Sequence, residues 1–431
     1  MGKLNYEESR HLVERTGIGA EWKTIDQFQN LTRQQAVETL LRNTDLGLPR
    51  PPSMSPWPRM LSFHKSISRK KMLKRISHVE GKKLQDWWVR HLLRTRSPFL
   101  ERMTLFWHNH FPSSIDKTYQ SSMLYQQNLM LRRNAFGNFG QMLHDISRDP
   151  AMLLYLDTYI NTKEEPNENF ARELLELFTV GIGNYSEHDI REAARAFTGW
   201  SIDDRSGRFV IRPEDHDNGV KTFLGKRGNF KGEDIINIVL QHPRTAERIA
   251  DKMWNEFISI SRPDKRVTRQ WAQAFRHSGY DIKTLIRSVF NSNAFWDRRN
   301  RGALIKSPIQ LTLGTLRALP YSPAGIDLAH NLSIMGQSVF AHPSVKGWSG
   351  GKTWVSSQSL LRRNSMMSNL TRGNLNEHRN RGGLASRMPD IDPQQLRIWL
   401  LAIPPLLPPP TTSGKQRLAR AFVLDPAYQV L

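Results

Sequence analysis

The chain has no cysteine among its 431 residues. That absence removes disulfides, thiolate zinc sites, iron-sulfur clusters and cysteine nucleophiles together. It leaves the compartment open, because a cysteine-free chain tolerates reducing and oxidising surroundings alike. Long apolar runs are also missing. No segment reaches the roughly 20 consecutive apolar residues that span a bilayer, and the apolar stretch Ile398 to Leu407 is short and broken by Pro404 and Pro405. The opening residues, MGKLNYEESRHLVERTGIGA, hold no apolar signal core, and Tyr6 stands where a myristoylation site needs Ser or Thr. The expectation is a protein with no transmembrane segment, cytoplasmic for lack of a signal peptide. Export or periplasmic association is the alternative if a precursor is clipped.

Acidic residues are scarce. Asp and Glu number 40 against 62 Lys and Arg, a formal charge of +22 and a pI near 10.4. Such a balance favours polyanions as partners, whether nucleic acid, acidic glycan, anionic lipid or an acidic protein. The excess is densest from Lys65 to Arg96, where only Glu80 and Asp86 oppose a run that includes Lys70, Lys71 and Lys74. Those three lysines are candidate ligand-binding residues. The competing reading is a solvated helix face whose aliphatic stems lie over Leu84, Trp87 and Trp88.

What the sequence does contain is helical periodicity. From Glu168, Phe170, Ala171, Leu174, Leu175, Leu177 and Phe178 share one arc, with Glu168, Arg172 and Glu176 opposite as an ion-pair ladder. Gly181 and Gly183 stop that helix, and Ser186 with Asp189 predicts a capping box for the next. Further amphipathic segments recur almost throughout, and no fixed-period repeat suggests a solenoid. The fold class predicted is mainly α, a multi-helix globular array with long glycine-rich loops and at most a short β-hairpin near 205–212. Four segments organise the chain: N-terminal helices and a proline-rich arm (1–64), basic helices with the central hairpin (65–200), a loop excursion (201–232) and a C-terminal helical region (233–431). They read as one continuous domain. Residues 371–391, rich in Arg, Asn and Gly, read as exposed and disordered.

Several ordered motifs carry a resemblance. Asn167-Glu-Asn-Phe-Ala-Arg-Glu-Leu-Leu-Glu-Leu-Phe-Thr-Val-Gly181 with Ala194-Arg-Ala-Phe-Thr-Gly-Trp200 resembles the central signature of the bacterial domain of unknown function 1800 family. His11 to Gly19, Phe106-Trp-His-Asn-His-Phe111, His216 to Gly225, and Val345-Lys-Gly-Trp-Ser-Gly-Gly351 are similar to its other blocks, in the same order. The resemblance departs at Phe178, where relatives carry histidine. It implies an architecture and no agreed activity. It also implies a partner, since relatives are often encoded beside the sulfatase-like domain of unknown function 1501 family.

Two chemical readings follow. His108, His110, His216 and Asp217, with Glu168 and Glu173 as candidate catalytic carboxylates, form the ligand set of a zinc, iron or manganese hydrolase if they meet around one cavity. On a helix His108 and His110 would stand about 200° apart, so sharing a metal requires the helix to end before Pro112. No H-E-x-x-H spacing and no G-x-S-x-G elbow supports an enzyme. A non-catalytic binding or accessory protein is therefore the leading reading, acting with a partner protein or an anionic ligand, with Lys221, Trp348 and Lys352 added as ligand contacts. A nucleic-acid-binding protein is the third. The loop from Lys346 to Lys352 falls one residue short of a phosphate-loop spacing and reads as a tight turn plugged by an aromatic ring.

Overall fold

Asn5 and Glu8 open the first helix with a reciprocal cap, each side chain accepting from the other's backbone N–H. That helix, α1 (Tyr6–Thr16), is buried from Ser9 onwards. Burying its charged residues requires partners, and these come from the far end of the chain. Arg15 donates to the carbonyls of Phe257, Ile258, Asn300 and Leu431, while Glu14 pairs with Arg10 and Lys306. The computed structural model describes residues 2–42, 47–56, 67–376, 388–410 and 414–431, with the side chains of all of these except 67–70 and 372–376. Lys65 and residues 377–387 of the segment read as disordered lie outside this set. A hydrophobic core runs from Leu4 to Tyr428 and takes residues from all four segments named above.

The helices that position the site are α2 (Ile67–Arg94), α3 (Pro98–His110), α4 (Asn169–Glu173), α5 (Glu187–Ala196), α6 (Pro243–Phe257) and α7 (Pro308–Ala318). Along α2 the buried stripe is Leu73, Ser77, Gly81, Leu84, Trp88 and Leu92, at the three- and four-residue steps of a helix face. Lys71, Lys74, Arg75, Lys82, Lys83, Arg90 and Arg94 are on the exposed side. The arm 47–56 lies along this helix, tied by Trp87 Nε1 to the Pro49 carbonyl at 3.1 Å and by Ser55 N–H to Glu80 at 2.8 Å. Among the described residues no helix is long and apolar enough to cross a membrane.

The hairpin differs from its expected form in one respect. After α4 the chain widens into a π turn over Leu174–Phe178 before Gly181 and Gly183, at φ of 80° and 82°, end it. The extra residue carries Glu176 away from Arg172. Arg172 instead joins Glu168, at 2.9 Å, to Glu187 of α5, at 2.8 Å, and Glu176 accepts from Tyr185 at 3.4 Å. The Ser186–Asp189 capping box forms as expected.

Between α5 and residue 232 there are two antiparallel pairs rather than at most one. Trp200–Ile202 pairs with Phe209–Ile211, and Lys221–Phe223 pairs with Lys226–Gly228. The second arises because Leu224 and Gly225 both take positive φ, 46° and 76°, the two-residue turn that matches strand twist. The alternation there is too short to be seen in the sequence.

Candidate functional site

Helix α3 enters the core with Pro98 in its first turn and carries Glu101 to the inside. Glu101 accepts from Arg132 at 2.7 and 2.9 Å, from Trp88 at 2.9 Å and from His91 at 3.1 Å. Burial pushes its carboxyl up, but Arg132 and His91 outweigh this and hold it down at about 2. The network fixes α3 against α2. It also fixes the direction of the two histidines at its end.

The helix continues through His110, so His108 and His110 diverge and do not share a ligand. His108 accepts the Phe340 N–H on Nε2 at 3.1 Å and rests on His342, ring centroids 4.4 Å apart. Burial holds both imidazoles neutral, His342 at about 4. His110 has both ring nitrogens engaged: Nε2 donates to the Phe178 carbonyl at 3.1 Å, and Nδ1 lies 2.6 Å from Nζ of Lys252. The π turn makes this geometry available. Carbonyls that a regular helix would close internally turn outward, so Leu177 accepts from Arg248 at 3.0 Å and faces Lys252 at 3.5 Å. Burial lowers the Lys252 amine to about 7, with the neighbouring Arg248 cation adding to the effect. Lys252 was not among the residues expected at a site. Its signal was present, since it falls three residues after Ile249 and so at the edge of the buried face of α6.

Opposite these groups sits the glycine-rich loop 344–353. Gly347 has φ 73°, and a Cβ there would lie 2.4 Å from Oδ1 of Asn109, so only glycine permits the approach. Asn109 clamps the loop by accepting the Trp348 N–H at 2.6 Å and donating to the Trp348 carbonyl at 3.3 Å. The Trp348 ring then covers His342 at 4.3 Å and His108 at 5.9 Å. A tight turn with an aromatic plug is thus present, and beside it is a cavity of about 550 Å³.

The lining of this cavity is chemically one-sided. Lys252, Lys346 and Lys352 contribute to it, and the latter two are exposed with no ion-pair partner among the described residues. Its acidic lining side chain, Glu256, is taken by Arg102 at 2.7 Å, and the carbonyl of Leu431, another lining residue, accepts from Arg15 at 2.8 Å. Three lining side chains, Arg102, Gln310 and Trp348, are each more than nine-tenths buried, and each has an N–H with no acceptor among the described residues: Nε, Nε2 and Nε1 respectively. All three unmatched atoms are donors. Half-buried Glu173 is raised by its burial and by Glu176 but lowered by Lys346, which sets that carboxyl near the loop rather than in the lining.

The remaining expected residues lie elsewhere. Glu168 stays in the Arg172 bridge. His216 bonds through Nδ1 to the Thr198 carbonyl at 2.9 Å, and Asp217 takes both Arg195 nitrogens at 2.6 and 3.2 Å. Lys221 has no exposed surface; its ammonium donates to the carbonyls of Asp217 at 2.6 Å and Gly219 at 2.9 Å. It is committed internally rather than presented to a ligand. The structure does not bring His108, His110, His216 and Asp217 around one cavity. Among the described residues no three His, Asp or Glu side chains converge to hold an ion. Lys71 and Lys74 sit on the exposed face of α2, on the same helix as Lys70. On that helix a second cavity of about 650 Å³ opens between the arm and α2, where Arg50, Lys83, Arg90 and Arg94 surround Trp87.

These features define a class: a mainly helical protein with one core, in which a glycine-clamped loop closes over the end of an aromatic-histidine helix. The chain matches the family described as Protein of unknown function (DUF1800) over residues 11–429, and it belongs to that family. No curated protein and no solved structure matches it.

Proposed function

We propose that this is a binding protein for a small, acceptor-rich anionic ligand, held between α3, α6 and the loop 344–353. The observation that carries the reading is the set of unmatched donors. A buried N–H without an acceptor costs about 1–3 kcal/mol, and three in the walls of one cavity, covered while it is empty, favour a ligand whose acceptors reach them as those side chains turn inward. The unpaired ammonium groups of Lys346 and Lys352 at the rim add attraction for the same charge. Carboxylates and phosphates meet both demands. Titration calorimetry with citrate, glycolate and inorganic phosphate tests it. Lys346→Glu with Lys352→Glu should abolish binding, and Trp348→Phe, which keeps the ring and removes the N–H, should weaken it about tenfold, the equivalent of ~1.4 kcal/mol. No binding by any of the three, or affinity unchanged in both variants, would sink the reading.

A second reading is supported by the other cavity. Arg50, Lys83, Arg90 and Arg94 around Trp87, with Lys71 and Lys74 exposed elsewhere on α2, give the helix a cationic surface suited to an acidic glycan or nucleic acid. Heparin affinity that falls steeply with salt, and less steeply after charge reversal at Lys71, Lys74 and Lys83, is the expected result. Salt-independent retention would exclude it. An acidic surface on a sulfatase-like partner is a third ligand for the same cationic surface.

A further inference from the structure

The least explained chemical group in the molecule is the amine of Lys252. It lies 2.6 Å from Nδ1 of His110 and 3.5 Å from the Leu177 carbonyl. Because Nε2 of that imidazole donates to Phe178, Nδ1 is the accepting nitrogen. Among the described residues no carboxylate pairs with Lys252, and the nearest charge is the Arg248 cation. A lysine kept only for charge would normally face an anion. This one faces a neutral ring, a carbonyl and another cation; its burial and that cation favour the free amine. Lys252 and His110 both line the 550 Å³ cavity, alongside the unmatched donors of Arg102, Gln310 and Trp348.

We propose that Lys252 is a covalent attachment site in this cavity, capturing a small anionic aldehyde or 2-oxo acid reversibly as an imine. The inference rests on the anion-binding reading above and names its ligand class. The amine lone pair adds to the carbonyl carbon while the carbonyl oxygen takes up a proton, giving a carbinolamine. The nitrogen releases its proton to Nδ1 of His110, whose Nε2–H stays anchored on Phe178. His110 then returns that proton to the carbinolamine hydroxyl, which leaves as water as the C=N bond forms. One carbonyl oxygen departs as one water; the proton taken up in the first step comes from solvent and returns to it when the protonated C=N nitrogen gives up its last hydrogen, and no oxidant or reductant is consumed. The carboxylate or phosphate beside the carbonyl is drawn by the cationic lining that Lys252 shares with Lys346 and Lys352. The pKa of about 7 gives a substantial free-amine fraction at neutral pH, where an ordinary lysine has very little.

Two probes separate this step from anion binding as such. Glyoxylate carries both a carboxylate and an aldehyde, whereas glycolate has the carboxylate alone. The intact protein is incubated with glyoxylate and sodium cyanoborohydride at pH 7, and each lysine is quantified by peptide mass spectrometry. Glycolate binding is measured in parallel by calorimetry. The expected result is a carboxymethyl adduct on Lys252 at least about tenfold above Lys346 and Lys352, suppressed by prior glycolate and lowered in His110→Gln. Labelling spread evenly over exposed lysines, with glycolate still bound, overturns the imine and leaves the anion site standing. Even labelling with no glycolate binding overturns both. Lys252→Arg, with helicity checked by circular dichroism, should lose the adduct and retain glycolate; an adduct total unchanged in that variant also overturns the assignment.

Discussion

Residues 201–232 and 344–353 both interrupt a helical chain with glycine-rich backbone, and they treat their polar groups in opposite ways. In the first, the residues singled out for chemistry are fastened to the protein itself, with Nε2 of His216 left over among the described residues. His216 and Asp217 fasten to Thr198 and Arg195, Lys221 caps the turn that precedes it, and Thr222 and Leu224 donate to Glu192 and Asp189 of α5. In the second, the backbone is clamped by one asparagine, while neighbouring N–H groups and two lysines remain unmatched. A polar residue in an irregular loop is therefore no guide to function until its partners are counted. The closed loop is a fastening and the open one is a place for a ligand.

The largest expected effect tests the closed loop. Lys221→Met should cost about 3 kcal/mol, because it strands the Asp217 and Gly219 carbonyls in the interior. The same change at Lys352, on the open loop, should stay within ~0.5 kcal/mol. Urea denaturation of the two variants measures the difference, and equal losses would erase the contrast.

Next is Gly347→Ala, where a positive φ and a Cβ only 2.4 Å from Asn109 demand displacement of the loop. We expect a loss of about 1–3 kcal/mol together with loss of anion binding. Binding at full affinity in this variant would mean that the clamp does not shape the cavity.

The smallest effects are in pH dependence; both groups are lowered in the fold, so both slopes are positive, and they differ in the pH window and in whether the fold favours or disfavours the charged form. Asp217 has its carboxyl lowered, chiefly by hydrogen bonds from Arg195. Its contribution is present above the unfolded carboxyl value near ~3.9 and is lost as pH falls through the lower folded value. Asp217→Asn should therefore flatten the acid limb of the stability profile. Lys252, in the open site, has the same sign in a higher window, but there the fold disfavours the charged form. Its folded value of about 7 lies below the unfolded value near ~10.4, so between these the unfolded chain binds the extra proton. Stability relative to Lys252→Met should rise with pH across that window. A falling difference would show that the amine stays charged in the fold.

Much of the architecture could be read directly. The Ser186–Asp189 cap, the glycine stops at 181 and 183, and the apolar arc from Phe170 to Phe178 are local, and local chemistry sets them by spacing alone. The turn at Gly347 with Trp348 as its plug was legible for the same reason. The candidate site was legible only in part. Trp348 and Lys352 line the cavity and His110 lies at its base, whereas His216, Asp217 and Lys221 are fastened elsewhere.

What the sequence by itself determined is helix content, helix ends, the dense basic face of α2 and the absence of thiol chemistry. Each depends on residues within a few turns of one another or on composition. The tertiary structure decided which polar groups are spent and which are left over. Lys252 and His110 are brought together across 142 positions of chain by a π turn that belongs to neither helix. Asn109 and Trp348 meet across 239. Hydrogen bonds saturate, so a side chain's availability depends on whichever distant partner reaches it first in the fold, and that count cannot be made along the chain.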